Sequence, residues 1–513
     1  MSTTNRVIKN TGYLYMKMGI TMFLSLFTTR LVLKSLGPAD YGIFNVIAGT
    51  IAMLGFLNST LAYATQRFMT YAEGEGNYQK QCKIFNISLI LHALIALVTA
   101  LFQLCLMYPL FNGILNISDG REFAARIVYL SMIFSTVITI VNATYDAIMN
   151  AHENMRFYSF IGVLDALMRL FIAIACIYTT SDKLIFYGVL MSVVPIITFV
   201  ITQIYCHKNY SECIIAPSKY WDFSLVKEIA TFSVWNFLTA ISSLFSVQGG
   251  GLILNHFYGS KLNAAQGIAV QLNGYLSAFA TNMLKAINPI IVKNAGAQEM
   301  SSMNIITILG AKYSTFLIML FAVPCIIEMK MLLNLWLGIV PQWTVLFCVL
   351  QIIQAIILQM GAPISTSVYA QGNIKYYSIW KSIINLLPLF LTYMMFKYGA
   401  APYWLYILMI AFYAIAGNGV ILYYAKKYCE LSVGYYFRSV CIPVFLTLIT
   451  MFIFGVLPSL IIKETFLRVC LTAFFSIIGL LIACITYAME PFEKEYLKSM
   501  AVKAYNRFVK HKN

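Results

Sequence analysis

The sequence predicts an all-α polytopic membrane protein of about 14 transmembrane helices, two six-helix lobes related by a parallel repeat plus two extra C-terminal helices. Three observations predict it. The chain has 513 residues, 60% hydrophobic and 11% charged, with a mean hydropathy of +0.78, whereas soluble proteins carry about 25% charge and 45–50% apolar residues. Apolar stretches of about 20 residues follow one another from end to end, the length a helix needs to cross a bilayer. The chain also echoes itself. Asn154-Met155-Arg156-Phe157-Tyr158 returns as Asn373-Ile374-Lys375-Tyr376-Tyr377, 219 residues later. Gly42-Ile43 and Gly49 return as Gly267-Ile268 and Gly274 at an offset of 225, and Asn112 and Leu115 match Asn334 and Leu337 at 222.

The elements follow in order. Residues 1–10 carry Arg6 and Lys9 and lead into the first span, 11–35. It is too long for a signal-peptide core and no small-residue cleavage site follows, so it reads as an uncleaved anchor. Spans 2 to 6 fall at 41–64, 84–107, 124–149, 157–179 and 184–206. The longest polar links, 65–83 and 207–223, are too short to form a soluble domain. Spans 7 and 8, at 224–247 and 265–290, are the most polar. Gly249-Gly250-Gly251 closes span 7 and supplies a hinge or a break; it is no phosphate loop, because the Lys and Ser/Thr of one are missing. Spans 9 to 12 fall at 305–327, 343–369, 377–396 and 403–425, and spans 13 and 14 at 436–457 and 466–488 lie outside the repeat. The apolar stretch 331–340 is too short to span, and 108–117 is its equivalent; both are expected at the outer interface. All spans must be helical, because lipid offers no partner to an open backbone.

These elements divide the chain into an N-terminal lobe (1–210), a C-terminal lobe (222–428), an extra helix pair (431–490) and a basic tail (491–513). Six spans per copy is an even number, so both copies face the same way and the repeat is parallel. With the N-terminus placed in the cytoplasm and the loops alternating, most Lys and Arg fall on the cytoplasmic side, as the positive-inside rule requires. The tail adds Lys494, Lys498, Lys503, Arg507, Lys510 and Lys512, so both termini are expected in the cytoplasm. The net charge of +16 is spread over many loops. That is the pattern of attraction to anionic inner-leaflet lipids, not of a nucleic-acid footprint.

Catalytic and metal constellations are missing. The five His (92, 152, 207, 256 and 511) are scattered and the eleven Cys show no CxxC, so no enzyme, cofactor or metal site is expected. No Walker motif is present, which excludes ATP as the direct energy source.

Charges inside the spans need reasons, since each costs about 2.5–3.5 kcal/mol on insertion scales. Lys17 and Arg30 lie thirteen residues apart in span 1 and point roughly 140° apart on a straight helix. A single cavity cannot receive both; each either snorkels at its own end or meets an anion. Arg169 stands four residues after Asp165, on one helix face. An ion pair lowers the cost of both, and the alternative is a proton or head-group site. Asp146, near the end of span 4, is a second candidate for that role. In span 8, Gln271, Tyr275, Ala278, Asn282 and Lys285 follow at helical spacing and form one face. That face suits a watery wall binding hydroxyls and phosphate, or a helix interface joined by amides. Arg67 sits at the mouth of span 2 beside the stripe Ser59, Tyr63, Gln66 and Thr70, as an anchor or a contact. The cations are not duplicated: the echo pairs Lys285 with Thr60 and Arg30 with Gly251.

Several stretches carry a family resemblance. Leu36-Gly37-Pro38-Ala39-Asp40-Tyr41-Gly42-Ile43-Phe44-Asn45-Val46, Ala64-Thr65-Gln66-Arg67-Phe68 and Glu73-Gly74-Glu75-Gly76-Asn77 resemble Wzx-type polysaccharide flippases of the MATE-like MOP exporter superfamily. So do Leu335-Trp336-Leu337-Gly338-Ile339-Val340-Pro341 and Ala370-Gln371-Gly372-Asn373-Ile374-Lys375. The resemblance covers nearly the whole chain. It implies two lobes about a V-shaped, cationic cavity in the bacterial inner membrane. The implied task is to carry an undecaprenyl-pyrophosphate-linked oligosaccharide outward for O-antigen, capsule or exopolysaccharide synthesis. The candidate substrate-binding residues are then Lys17, Arg30, Arg67, Gln271, Tyr275, Asn282 and Lys285. Asp146, Asp165 and Arg169 are candidates for H⁺ or Na⁺ coupling. Membrane lipids, a polysaccharide polymerase and glycosyltransferases are the implied partners. The alternative on the same fold is a MATE-type cation-coupled drug or metabolite exporter. It needs unpaired carboxylates at depth, which spans 1 and 7 lack, Glu228 lying at the mouth of span 7. A membrane enzyme would show a large loop or a His motif.

Overall fold

The computed structural model describes residues 3–52, 55–114, 120–338 and 340–495, and its regular structure there is helical throughout, without a strand. The helices are α1 (Thr3–Ala52), α2 (Gly55–Gly74), α3 (Tyr78–Pro109), α4 (Glu122–Ala151), α5 (Met155–Tyr178) and α6 (Lys183–Asn209). They continue as α7 (Phe223–Tyr258), α8 (Ser260–Gly296), α9 (Met300–Ile327), α10 (Met329–Leu337), α11 (Thr344–Ala370) and α12 (Lys375–Lys397). The last are α13 (Trp404–Cys429), α14 (Val433–Ile461) and α15 (Phe466–Ala488).

Among the described residues, twelve helices are long and apolar enough to cross a membrane. The expected spans 41–64 and 265–290 are not in that set. The first is divided between α1 and α2 by residues 53–54, which lie outside the described residues. The second lies in α8, which is helical but carries Gln266, Gln271, Asn273, Asn282 and Lys285. The stretch 331–340 forms most of the nine-residue α10, too short to span. Residues 115–117 of its equivalent and the tail from 496 lie outside the described residues.

The duplication is written into the backbone. Gly37 (φ 77°) interrupts α1 and Gly259 (φ 79°) separates α7 from α8, 222 residues on (259 − 37). Both are left-handed stations where a side chain would be strained. Gly76 and Gln298 (298 − 76 = 222) and Glu153 and Gly372 (372 − 153 = 219) are further left-handed pairs. The turns around the first of these match bond for bond. Asn77 N–H donates to the Ala72 carbonyl at 3.1 Å, as Glu299 N–H does to Asn294 at 2.9 Å. Helices α4 and α11 also start 222 apart (344 − 122).

This register confirms the echo at Asn154/Asn373 and corrects the one at Gly42/Gly267. An offset of 225 is three residues too long there, nearly one helical turn, so apolar small-residue helices matched themselves on the right face but the wrong turn. The counterpart of Lys285 is accordingly Tyr63, not Thr60, and that of Arg30 is Leu252, not Gly251.

The chain packs as two compact units whose boundaries cross the duplication. Unit 1 holds the chain to Ile241, then Lys285–Glu299 and Gly372–Ser378. Its core gathers Val32, Phe44, Ile47, Phe111, Val128 and Tyr129, with the Phe44 ring 4.8 Å from that of Tyr187. Past Gly37, Asp40 turns to Arg121, which also binds Asp182 at 2.6 Å. Asp182 in turn caps α6 through the Leu184 and Ile185 amides at 3.0 and 3.1 Å.

Unit 2 holds Ser242–Leu284, Met300–Gln371 and the chain from Ile379, including α14 and α15. Two ion pairs on buried carboxylates hold α15 and the segment that follows it. Lys312 of α9, 1% exposed at its side chain, meets Glu493 at 2.6 Å, and Arg468 of α15 meets Glu328 at 2.6 Å. Thr472 donates to the same Glu328 at 3.0 Å. None of the eleven cysteines is bridged.

Candidate functional site

A cavity of about 600 Å³ opens inside unit 1, lined from α1, α4, α5 and α6. On α1 the lining residues are Lys17, Thr21, Ser25, Thr28 and Thr29. They share a face because their spacing follows the helix. Their hydroxyls donate to their own helix, Thr21 to Met18 O at 3.2 Å, Ser25 to Met22 O at 2.9 Å and Thr28 to Leu24 O at 2.9 Å. The oxygen lone pairs are thereby left to accept from a guest.

Lys17 reaches the cavity because Gly162 of α5 makes room: a Cβ there would overlap Lys17 Cε. Its ammonium lies 4.0 Å from the centroid of the Tyr158 ring. Lys285 of α8 lies 5.8 Å from the same ring. The ring is wedged where Leu14, Met155 and Ala286 pack together, so one tyrosine gathers α1, α5 and the end of α8. Asp146 of α4 lines the cavity and its charge is felt by both lysines. Asp165 and Arg169 also line it, joined by bonds of 2.7 and 3.1 Å in the i,i+4 geometry expected of them.

The other sequence candidates lie elsewhere. Arg30 is exposed and does not line this cavity, in keeping with the angle that separates it from Lys17. Arg67 is 5% exposed and lies over the rings of Phe68, Tyr71 and Phe232 at 4.5, 4.7 and 5.6 Å. Its guanidinium rests against Gly372, where any side chain would collide with it. Within unit 2, Gln271 donates to the Tyr275 hydroxyl at 3.1 Å and both are exposed, while Asn282 Nδ2 donates to Ala278 O at 3.0 Å.

Sequence reasoning did not single out Tyr158, Gly162, Lys312 or Lys381. The two lysines stood inside expected spans and were legible as such; nothing marked the tyrosine or the glycine. Nor did it single out a charged network on the face that the charge bias assigns to the cytoplasm. There His152 meets Glu212 at 2.5 Å and Glu73 at 3.4 Å, and Glu73 meets Lys293 at 2.6 Å. Tyr210 stacks on the imidazole with centroids 4.3 Å apart. Burial alone pulls the His152 pKa down, but the Glu212 and Glu73 bonds and charges outweigh it and raise it to about 9. Burial pushes Glu73 up, yet the bonds from His152 and Lys293 hold it below the usual carboxylate range. At neutral pH His152 is therefore charged and faces an ionised Glu73.

Three comparisons bear on this arrangement. The family model described as polysaccharide biosynthesis protein matches residues 7–295, more than half of the chain. No curated protein sequence matches it. Among solved structures, it is similar to the outward-facing conformation of a multidrug resistance MATE family transporter of the MOP superfamily. That match has TM-score 0.73 and 13% identity over 84% of this chain and 97% of the other. It is also similar to a MOP superfamily transporter from Pyrococcus furiosus, whose description reads that reverse polarity of its binding pocket suggests a different function. Here the TM-score is 0.70, at 12% identity over 84% and 98% of the two chains. A MATE in the bent conformation gives TM-score 0.72 at 14% identity over 84% and 96%. At such identities the likeness concerns the fold.

Proposed function

This chain belongs to the polysaccharide biosynthesis protein family, and from that premise we propose that it is a membrane exporter of undecaprenyl-pyrophosphate-linked oligosaccharides. One observation carries the substrate class: two ammonium groups gathered on one tyrosine ring, at 4.0 and 5.8 Å, beside a hydroxyl-lined cavity. Ammonium groups close together repel, so their joint placement favours a ligand with adjacent negative charges. A diphosphate diester carries two. Charge-assisted bonds of this kind contribute about 1.5–3 kcal/mol each. The threonine and serine oxygens of α1 accept from sugar hydroxyls, and the lipid tail stays in the bilayer.

Flipping forms and breaks no covalent bond. The head group enters from the inner leaflet, the lobes rock, and it leaves outward by alternating access. In the cavity lining Lys17 and Arg169 balance Asp146 and Asp165, and Lys285, beside the same Tyr158 ring, brings the group to a net charge of +1 (3 − 2). Protonation of Asp146 raises that to +2, matching the diphosphate, which makes Asp146 the coupling group if a proton gradient drives transport. Asp165 is held by Arg169 and serves to keep that cation in place. We place the protein in the bacterial inner membrane with both termini in the cytoplasm, between glycosyltransferases that build the lipid-linked unit and a polymerase that uses it.

The test uses vesicles carrying the purified chain and a fluorescent undecaprenyl-diphosphate glycan. Lys17→Ala combined with Lys285→Ala is expected to slow transfer at least tenfold, from the loss of about 1.5–3 kcal/mol per contact. A wild-type chain that neither binds nor moves the lipid sinks the proposal. The alternative, export of cationic drugs, is disfavoured by the two ammonium groups on the Tyr158 ring; drug-resistance assays in an exporter-deficient host discriminate.

A further inference from the structure

The two copies of the repeat differ instructively on their fifth helices. Between α5 and α12 the offset is 219, which pairs Tyr158 with Tyr377, Ser159 with Ser378 and the left-handed Glu153 with Gly372. Burial follows the same register: Met155 and Ile374 are 0% and 1% exposed, Ser159 and Ser378 4% and 0%. The counterpart of Gly162 is therefore Lys381 (381 − 162 = 219). In the first copy the space over Gly162 is filled by the stem of Lys17, which arrives from α1. In the second copy the counterpart of Lys17 is Thr239 (239 − 17 = 222), and the fifth helix carries the lysine itself. An ammonium thus leaves the same station of the fifth helix in both copies, supplied by the first helix in one and by the fifth in the other.

We propose that Lys381 is the centre of a second anion site, within unit 2, that takes a phosphate or carboxylate group of the exported molecule. The inference rests on the export reading above and extends it to the other half of the chain. The surroundings in unit 2 suit an anion. The Lys381 ammonium lies 5.4 Å from the centroid of the Tyr369 ring, as Lys17 lies on Tyr158. Its charge reaches the Tyr413 hydroxyl, which is 3.2 Å from Ser246 Oγ. One turn along α12, Asn385 donates to Ser242 and Ser243 at 3.0 Å each, which adds polar side chains beside Lys381. The sign of the local charge agrees. Unit 2 contains no Asp, and its Glu (328, 430, 464, 490, 493 and 495) all stand at helix ends. Lys312, the other lysine at depth, is neutralised by Glu493. The interior of unit 2 is thus positive by its own residues, which disfavours a metal cation and favours phosphate or an acidic sugar.

The experiment measures equilibrium binding of radiolabelled inorganic pyrophosphate and of glucuronate to the full chain in detergent. Wild type is compared with Lys381→Gln, Lys381→Arg and the pair Lys17→Gln with Lys285→Gln. Lys381→Gln is expected to weaken one of the two ligands roughly tenfold, the worth of a lost charge-assisted bond. The Lys17/Lys285 pair should leave that component in place, and Lys381→Arg should retain it. The ligand affected names the source, the lipid phosphate or an acidic sugar. Unchanged binding of both ligands in Lys381→Gln overturns the site. A loss shared equally by Lys381→Arg, with melting intact, overturns it too, since charge is then not what matters. A readout that needs no variant is acylation of Lys381 in the wild-type chain, followed by mass spectrometry. Bound ligand is expected to protect it, and absence of protection by either ligand counts against the site. A chain that shows the Lys381 component but flips no lipid defeats the export reading alone.

Discussion

Replacing His152 by Gln tests whether the network at the loop ends holds unit 1 together. In the native chain the imidazole is charged at neutral pH, because its bonds to Glu212 and Glu73 outweigh burial and raise its pKa to about 9 from 6.5. A shift of that size corresponds to about 3 kcal/mol of stability. The group is 23% exposed at its side chain, so little is lost to solvent screening. The sign follows from the direction: a raised histidine pKa contributes fully below about pH 6.5, and the contribution fades as pH rises through about 9. Glu73, held low by His152 and Lys293, sets the opposite limit, its contribution fading in acid. Gln keeps a hydrogen bond but leaves Glu212, 4% exposed, without its charged neighbour. For a unit of this size, about 3 kcal/mol lowers the melting temperature by roughly 5–10 °C. The assay is tryptophan-monitored melting of the full chain in detergent at pH 7 and pH 9.5. Wild type is expected to lose stability between the two, and His152→Gln to start lower at pH 7 and change less. If the variant melts with wild type at pH 7, or falls as steeply with pH, the charged network is not what holds these loops.

Three further outcomes are expected. Gly162→Val puts a side chain where Lys17 Cε lies, so vesicle transfer should fall severalfold with melting preserved; unchanged transfer would show that Lys17 acts from another position. Gly296→Ala sets a Cβ against the Tyr71 backbone carbonyl, which cannot swing aside, and is expected to lower the yield of folded protein, read by gel filtration. Glu328→Gln strands Arg468, 13% exposed, beside an uncharged amide. Arg468 still reaches solvent, so the loss is expected to stay below the ~3–5 kcal/mol of a fully buried pair, and limited proteolysis should then cut first between α14 and α15.

How far the sequence reached varies with the physics of each element. The Asp165–Arg169 pair was legible because i,i+4 neighbours on a helix meet whatever surrounds them. The angle between Lys17 and Arg30 was legible for the same reason. The turn at Asn154 was legible because an N-cap favours a particular side chain and the same Asn recurs 219 residues on as Asn373. The Gly42/Gly267 match misled because small and apolar residues recur on any lipid-facing helix, and nothing in a string says which turn they occupy. Tyr158 was silent because aromatic residues are common in this chain and its role depends on two lysines from other helices.

The sequence by itself determined the class of the molecule: a chain this apolar must satisfy its backbone within helices, and an even number of spans per copy fixes a parallel repeat. The tertiary structure decided which residues meet. Lys17, Tyr158 and Lys285 come from three helices far apart in the chain, and Lys312 finds Glu493 across 181 positions. Local periodicity tells a side chain which face of its own helix it occupies. Only packing, where a missing Cβ at Gly162 admits a lysine from α1, tells it what it will touch.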